Sequence, residues 1–279
     1  MDAFQAYPYK ESDIHNRVQK AITTTLTSES RREALKCILS AIDLTSLEAT
    51  DTESRIAYLC EQAKSFSMRK ADISDVAAVC VYPPFTSLVR SLLSETEIKT
   101  ASVATAFPSG QSPLQVKLME VSFVVDEGAE EVDMVISRGK FLDGKFEEVA
   151  DEVMAVKTAC GDVMLKVILE TGELTSVENI RKACEIAILS GADFLKTSTG
   201  KIQPAATPEA FLIMLDTIRE YYDHTGKKIG IKAAGGISAA ETAIQYYLLV
   251  KHVLGDEWLN KDLFRIGASR LAENVFNEL

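Results

Sequence analysis

The stretch GADFLKTSTGK, residues 191–201, opens as a buried strand over Ala192–Leu195 and then breaks its own pattern with Lys196, Thr197, Ser198, Thr199, Gly200 and Lys201. KIGIKAAGG, residues 228–236, does the same, with Lys232 after Ile229, Gly230 and Ile231. Each is a short apolar run that holds one ammonium group and closes on a glycine-containing turn. An ammonium inside an apolar strand is costly to desolvate, so something must make these lysines worth burying.

Outward from these two stretches, short apolar runs alternate with amphipathic segments from about residue 40 onward. The strand-like runs are SAIDLT (40–45), VAAVCVY (76–82), ASVATAF (101–107), EVDMVI (131–136), VMLKVILE (163–170), ADFLKTS (192–198), KIGIKAA (228–234) and LFRIGAS (263–269). Apolar residues recur at three- and four-residue steps over 52–66, 112–128 and 176–191, which predicts helices there. Gly128 and Gly191 stand where helix C-caps belong, and Ser176 where an N-cap belongs. Eight strand–helix units argue for an α/β protein, a (β/α)8 (TIM) barrel. The alternative, an open doubly wound sheet, would call for a G-x-G-x-x-G near its first strand, and none is present. Residues 1–39 read as a helical extension packed on the barrel, because RREALKCILSAI is periodic. Without linker, low-complexity tract or internal repeat, residues 1–279 read as one domain.

Composition narrows the partners. Lys and Arg number 30 against 41 Asp and Glu, a net charge of −11, which disfavours nucleic acid and anionic membrane. No apolar run approaches the ~18 residues of a membrane span. The N-terminal MDAFQAYPYKESD has neither a basic start nor an apolar core, so it does not read as a signal peptide. Cys37, Cys60, Cys80, Cys160 and Cys184 form no C-x-x-C pair and suit reduced thiols in a cytoplasmic protein. His15, His224 and His252 are scattered, so neither a metal nor a dissociable cofactor is expected.

The strand charges share a direction. Asp43, Asp133, Lys166 and Lys232 each lie between two apolar residues, and Lys196 follows Leu195. Side chains alternate across a strand, so if the apolar neighbours face the helices these five charges face the barrel axis. Any one of them alone reads equally well as part of a buried ion pair. Five converging near the strand C-terminal ends point to function, because barrel active sites lie at that end. Lysines and carboxylates without a metal cluster suit amine chemistry on a carbonyl, in which an iminium serves as the electron sink. The attacking amine must be neutral. A second ammonium at ~6 Å, with an effective dielectric of ~20, opposes its charge by roughly 2.8 kcal/mol, or about two pKa units. At this point Lys166, Lys196 and Lys232 are equal candidates for the nucleophile.

The turns STGK (198–201), AAGGIS (233–238) and GASR (267–270) follow the last three strands. Backbone N–H groups around Thr199, Gly200, Gly235, Gly236 and Gly267 could cradle an anion, with Lys201, Ser238 and Ser269 as side-chain donors. Loops after strands 7 and 8 commonly bind phosphate in this fold.

ETGEL (170–174), GADFLKTSTGK, KAAGG and RIGAS, in that order, resemble the deoxyribose-phosphate aldolase family of class I aldolases, and the likeness spans roughly residues 38–272. The resemblance implies reversible cleavage of 2-deoxy-D-ribose 5-phosphate to D-glyceraldehyde 3-phosphate and acetaldehyde, in deoxyribonucleotide catabolism. It makes Lys196 the Schiff-base nucleophile, Lys232 the second lysine that lowers its pKa, and Asp133 the proton donor and acceptor. It places Asp43, Thr45, Cys80 and Lys166 around the site. The chain departs from the family pattern at Ala106, Ala233 and Arg270, and ENVFNEL (273–279) lacks the terminal tyrosine of some members. Competing readings are another Schiff-base lyase, transaldolase-like in character, and a silent sugar-phosphate binder. Cys80 also reads as an inert buried thiol, Trp258 as packing between the last helix and strand 8, and EEVADEV (147–153) as a solvated helix face. Tyr221–Tyr222 and Tyr246–Tyr247 read as helix packing or as contacts of a homodimer.

Overall fold

The computed structural model describes residues 4–279; Met1–Ala3 of the N-terminal extension lie outside the described residues. Eight strands alternate with helices and pair in chain order into a closed parallel barrel. They are β1 (Ile42–Thr45), β2 (Ala78–Val81), β3 (Lys99–Ala104), β4 (Glu131–Val135), β5 (Met164–Ile168), β6 (Phe194–Lys196), β7 (Gly230–Ala234) and β8 (Phe264–Ala268). Closure runs through β1 and β8, where Ile42 pairs with Ile266 and Leu44 with Ala268.

Each strand falls within its apolar run except β3, which starts and ends earlier than the run at 101–107 suggests. Thr105 and Ala106 end it, with φ of 65° and 59°, a region rarely entered by residues other than glycine, asparagine and aspartate. Local bonds hold them there. The Thr105 hydroxyl donates to Val135 O at 3.1 Å and accepts from Val135 N at 2.9 Å, while Ala106 N donates to Glu120 Oε2 at 2.7 Å.

Helices Glu53–Ala63, Leu114–Asp126 and Val177–Leu189 lie where the periodicity predicts. Ser176 caps the last of these by accepting from Asn179 N. Gly128 and Gly191 follow their helices with φ of 91° and 98°, the left-handed geometry a C-cap glycine supplies. Two extension helices, Glu11–Ile22 and Ser28–Ser40, bury Ile14, Val18, Leu35 and Ile38. The first packs on helices Pro208–Thr225 and Ala240–Val253, the second on Ala240–Val253 and Leu271–Phe276.

Trp258 is buried ahead of β8 as a packing residue: its short helix packs on Ala240–Val253, Nε1 donates to Ile229 O at 2.9 Å and the ring meets Tyr222 edge-on. One expectation for a helix changes. EEVADEV is not a wholly solvated face, because Val149, Glu152 and Val153 of helix Phe146–Cys160 are buried. Glu152 goes inside because a lysine meets it there.

Register decides which side chains enter the lumen. Partners across parallel strands share a face. Asp133 pairs with Lys166, Lys196 with Lys232, Lys232 with Arg265, Gly267 with Asp43, and Ala101 with Glu131. This set points to the axis. The alternate set, including Leu44, Val132, Leu165, Leu195 and Ile231, is buried in the main core with the helices. Glycine makes room where the lumen is crowded: a Cβ on Gly230 would lie 2.3 Å from the Phe194 ring.

Candidate active site

Seven charged side chains fill the axis, all at most 3% exposed. Five are those the alternation picks out; Glu131 and Arg265 join them. Asp133 is the hub. Its Oδ2 accepts from Lys196 Nζ and from Lys232 Nζ, each at 2.7 Å, and its Oδ1 accepts from Lys166 Nζ at 2.9 Å. Lys232 also bonds Asp43, and Lys166 reaches Glu131 at 2.5 Å. Arg265 closes the network with Nη1 on Asp43 at 2.6 Å and Nη2 on Glu131 at 2.7 Å.

Four cationic groups therefore face three carboxylates, so charge balances when one amine is neutral. Lys196 is the one held below the ordinary lysine range. Burial is the main cause and the charge of Lys232 adds to it, while Asp133 pulls the other way. Burial also works against the charge on Lys166 and Lys232. There the carboxylates win, Asp133 with Glu131 and Asp43 for Lys166 and Asp133 with Asp43 for Lys232, and both ammoniums are held above the ordinary range. Burial opposes the charge of Asp133 too, but Lys166, Lys196 and Lys232 outweigh it and keep the carboxylate ionised. Desolvation, more than the charge of the second lysine to which the sequence points, is what favours the neutral amine at Lys196.

A cavity of about 280 Å³ opens at the C-terminal ends of the strands. Lys196 is the one lumen lysine that borders it. Thr45, Thr199, Gly200, Lys201, Gly235, Gly236, Ser238, Gly267 and Ser269 border it as well, and so do Leu47, Glu48 and Arg270. Asp43, Cys80, Lys166, Lys232 and Asp133 do not border it; they lie fully buried. Asp43 and Lys166 thus act on the other charges rather than as cavity lining. Burial pushes the Cys80 thiol up to about 11, with Asp133 adding to the rise, which agrees with an inert thiol. Gly267 leaves space for the second lysine, since a Cβ there would lie 3.0 Å from Lys232 Cε.

The three turns meet at the cavity rim. Gly200 and Gly235 have φ of 79° and 89°, and a Cβ on Gly235 would lie 3.0 Å from Gly200 Cα. Among the described residues, the N–H groups of Gly200, Gly235, Gly236 and Ser269 have no partner within the protein. Lys201 reaches across the rim to Glu48 at 3.2 Å, an exposed pair of small energetic weight. Both Thr199 donors are used inside the protein, its N–H and its hydroxyl each bonding Glu170. A larger cavity of about 570 Å³, between the first extension helix and helices Val177–Leu189 and Pro208–Thr225, borders none of the lumen charges.

Sequence reasoning missed Glu131, Arg265 and Glu48. Arg265 lies between Phe264 and Ile266 and obeys the same alternation as Lys232, so that signal was present. Glu131 follows Glu130 and reads as a polar strand entrance. Glu48 lies in a loop with no periodic signal.

The model of the DeoC/LacD family aldolases matches residues 37–252. The chain is 44% identical over 248 residues to the deoxyribose-phosphate aldolase of Mus musculus, covering 85% of this chain and 78% of that protein. It is 42% identical over 266 residues to the deoxyribose-phosphate aldolase of Homo sapiens, covering 91% and 83%. Among solved structures, a tetrameric deoxyribose phosphate aldolase from Aeropyrum pernix is similar with a TM-score of 0.69 at 26% identity, over 90% of this chain and 97% of that one. The chain belongs to the DeoC/LacD aldolase family. Aldolases are lyases, and the expected class of enzyme is met.

Proposed function

We propose that this enzyme cleaves 2-deoxy-D-ribose 5-phosphate reversibly to D-glyceraldehyde 3-phosphate and acetaldehyde, through a Schiff base on Lys196. One observation carries the reading: Lys196, alone of the three lumen lysines, borders the cavity and is the amine held below its ordinary range. The names of the mouse and human relatives support the substrate.

The neutral Lys196 amine adds to C1 of the open-chain aldehyde. Protons relayed over Asp133 and Lys232 let the carbinolamine lose water and become an iminium. A base takes the proton from the C3 hydroxyl, the C2–C3 bond breaks, and its electron pair moves into the iminium to form an enamine. D-Glyceraldehyde 3-phosphate leaves. The enamine takes a proton at C2, and water releases acetaldehyde and the free amine. Lys196 and Lys232 share one oxygen of Asp133, so a proton has a path of hydrogen bonds between them. Lys232, held above its ordinary range, is the resting proton store.

The phosphate lies against the three turns. The N–H groups of Gly200, Gly235, Gly236 and Ser269, without partners among the described residues, serve as donors there, and Lys201 and Arg270 supply positive charge. Five free thiols, four of them buried, suit a reducing compartment such as the cytoplasm. Among the described residues no helix is long and apolar enough to cross a membrane. A homodimer belongs to the same reading: helix Leu114–Asp126 exposes Val116, Met119 and Phe123, an apolar stripe a second copy would cover.

The test is borohydride reduction in the presence of substrate, followed by peptide mass spectrometry. A reduced adduct on the peptide carrying Lys196 is the expected result. An adduct on Lys166 or Lys232, or turnover without any adduct, overturns the assignment.

A further inference from the structure

Glu170 opens the ETGEL stretch, yet the proposed chemistry gives it no task. It is fully buried, and its φ of 57° places it in the left-handed region, unusual for a glutamate. That conformation turns the chain just after β5 and brings the carboxylate against the loop that follows β6. Oε1 accepts Thr199 N–H at 3.1 Å, and Oε2 accepts the Thr199 hydroxyl at 2.5 Å. Oε2 also accepts from Arg138 Nη1 at 3.1 Å.

Arg138 is held in turn. Nη1 donates to Pro108 O at 3.1 Å, Nη2 to Ser109 O at 3.2 Å, and Nε meets Glu173 at 2.7 Å. The Glu170–Arg138 pair therefore joins the loops after β3, β4, β5 and β6. On the far side, the Thr199 hydroxyl accepts from Lys201 N at 3.1 Å. Thr199 and Lys201 have their N–H groups tied within the protein, while that of Gly200 between them has no partner there among the described residues. These bonds tie the turn on both sides of Gly200, and Gly200 and Lys201 lie at the cavity rim. A charged acceptor makes shorter and stronger hydrogen bonds than a neutral one, which suits a group that must fix a turn.

We infer that Glu170, clamped by Arg138, is a positioning residue for phosphate recognition: it fixes Thr199 and so presents Gly200 N–H and the Lys201 side chain to the phosphate of the substrate. The inference rests on the proposed role of that turn in binding phosphate. Glu170 touches neither the reacting carbons nor Lys196; it acts through Thr199.

The test compares 2-deoxyribose 5-phosphate with 2-deoxyribose in steady-state kinetics. Glu170→Gln keeps the shape and removes the charge. KM for the phosphorylated sugar should rise about tenfold with kcat changed far less, and kcat/KM for 2-deoxyribose should fall much less. Thr199→Val removes the hydroxyl and with it the links to Glu170 Oε2 and Lys201 N, keeps the Thr199 N–H bond to Glu170, and should act in the same direction. In the double variant the losses should be smaller than the product of the single ones, because both changes cut one connection. Borohydride trapping of acetaldehyde on Lys196 should persist in both variants. Equal losses on the two sugars, or a phosphate preference that survives both substitutions, overturn the inference alone. A wild-type enzyme with no preference for the phosphorylated sugar overturns the phosphate reading and this inference with it.

Discussion

Lysines are buried in two places in this protein, and the two sites solve the problem differently. Lys117, on the inward side of helix Leu114–Asp126, meets one carboxylate, Glu152, at 2.8 Å and one hydroxyl, Ser137, at 2.7 Å. Ser137 also lies 2.9 Å from each Glu152 oxygen, so the group is closed and its charge balanced. The lumen holds four cations against three carboxylates, and its surplus amine is the one on a cavity. Both sites carry desolvation costs of several kcal/mol per ion. A buried charge alone therefore says little about function; a surplus charge beside a cavity says much.

That contrast can be broken at several points, from the largest expected effect on turnover to the smallest. Lys196→Met removes the nucleophile, so turnover should fall by about 10⁴ or more and borohydride should label nothing in the lumen. Turnover above a tenth of wild type would move the nucleophile elsewhere. Asp133→Asn keeps the shape of the hub and removes its basic charge. A loss of about 10²–10⁴ in kcat is expected, and near-normal kcat would take Asp133 out of the proton path.

Lys201→Ala should weaken the phosphorylated sugar by about ten- to a hundredfold, the worth of a charge-assisted bond, and the dephosphorylated sugar far less. Kinetics on both sugars decide it, and equal losses would indicate a general defect.

Lys232→Met tests the charge count. Three cations would then face three carboxylates, and Lys196 would be kept charged as a partner. The pKa that governs imine formation should rise, with imine formation at neutral pH slowed about tenfold and recovering at higher pH. An unchanged pH profile would leave Lys232 with proton transfer only. The sign for stability follows from the same directions. Lys196, depressed in the fold, weakens stability as pH falls through the unfolded lysine value of about 10.4, and the penalty levels off below its folded value. Lys232, raised in the fold, contributes stability that is complete below the unfolded value and lost as pH rises through the folded one.

Lys117→Met is the control and should leave the turnover of folded enzyme unchanged. It strands Glu152 in the interior, so unfolding in urea should show a loss of about 3–5 kcal/mol. Replacing Glu152 by Leu in the same chain should restore much of it. A large fall in kcat of the folded variant would mean that the two lysine sites are coupled.

Much of this was legible along the chain. Alternation in β1, β4, β5, β6 and β7 marks Asp43, Asp133, Lys166, Lys196 and Lys232 as inward, because a strand repeats every two residues and each charge lies among apolar neighbours. The helices at 53–63, 114–126 and 177–189 follow from their periodicity and caps. Lys117 and Glu152 escaped the same logic. A helix has no strict alternation, and one lysine in LQVKLME reads as surface until its partner on another helix is known.

From the sequence alone came the order of strands and helices, the barrel, and the list of residues able to do amine chemistry, since these depend on periodicity and residue type over short distances. Tertiary structure decided which lysine meets the cavity, how many carboxylates share the lumen, and which of the turn donors remain free. Those properties depend on separations of a few ångströms between residues far apart in the chain. Asp43 and Arg265, 222 positions apart, lie 2.6 Å from each other. Coulomb interaction and solvent access fall off over ångströms of space, and the linear order of residues does not encode that distance until the barrel closes.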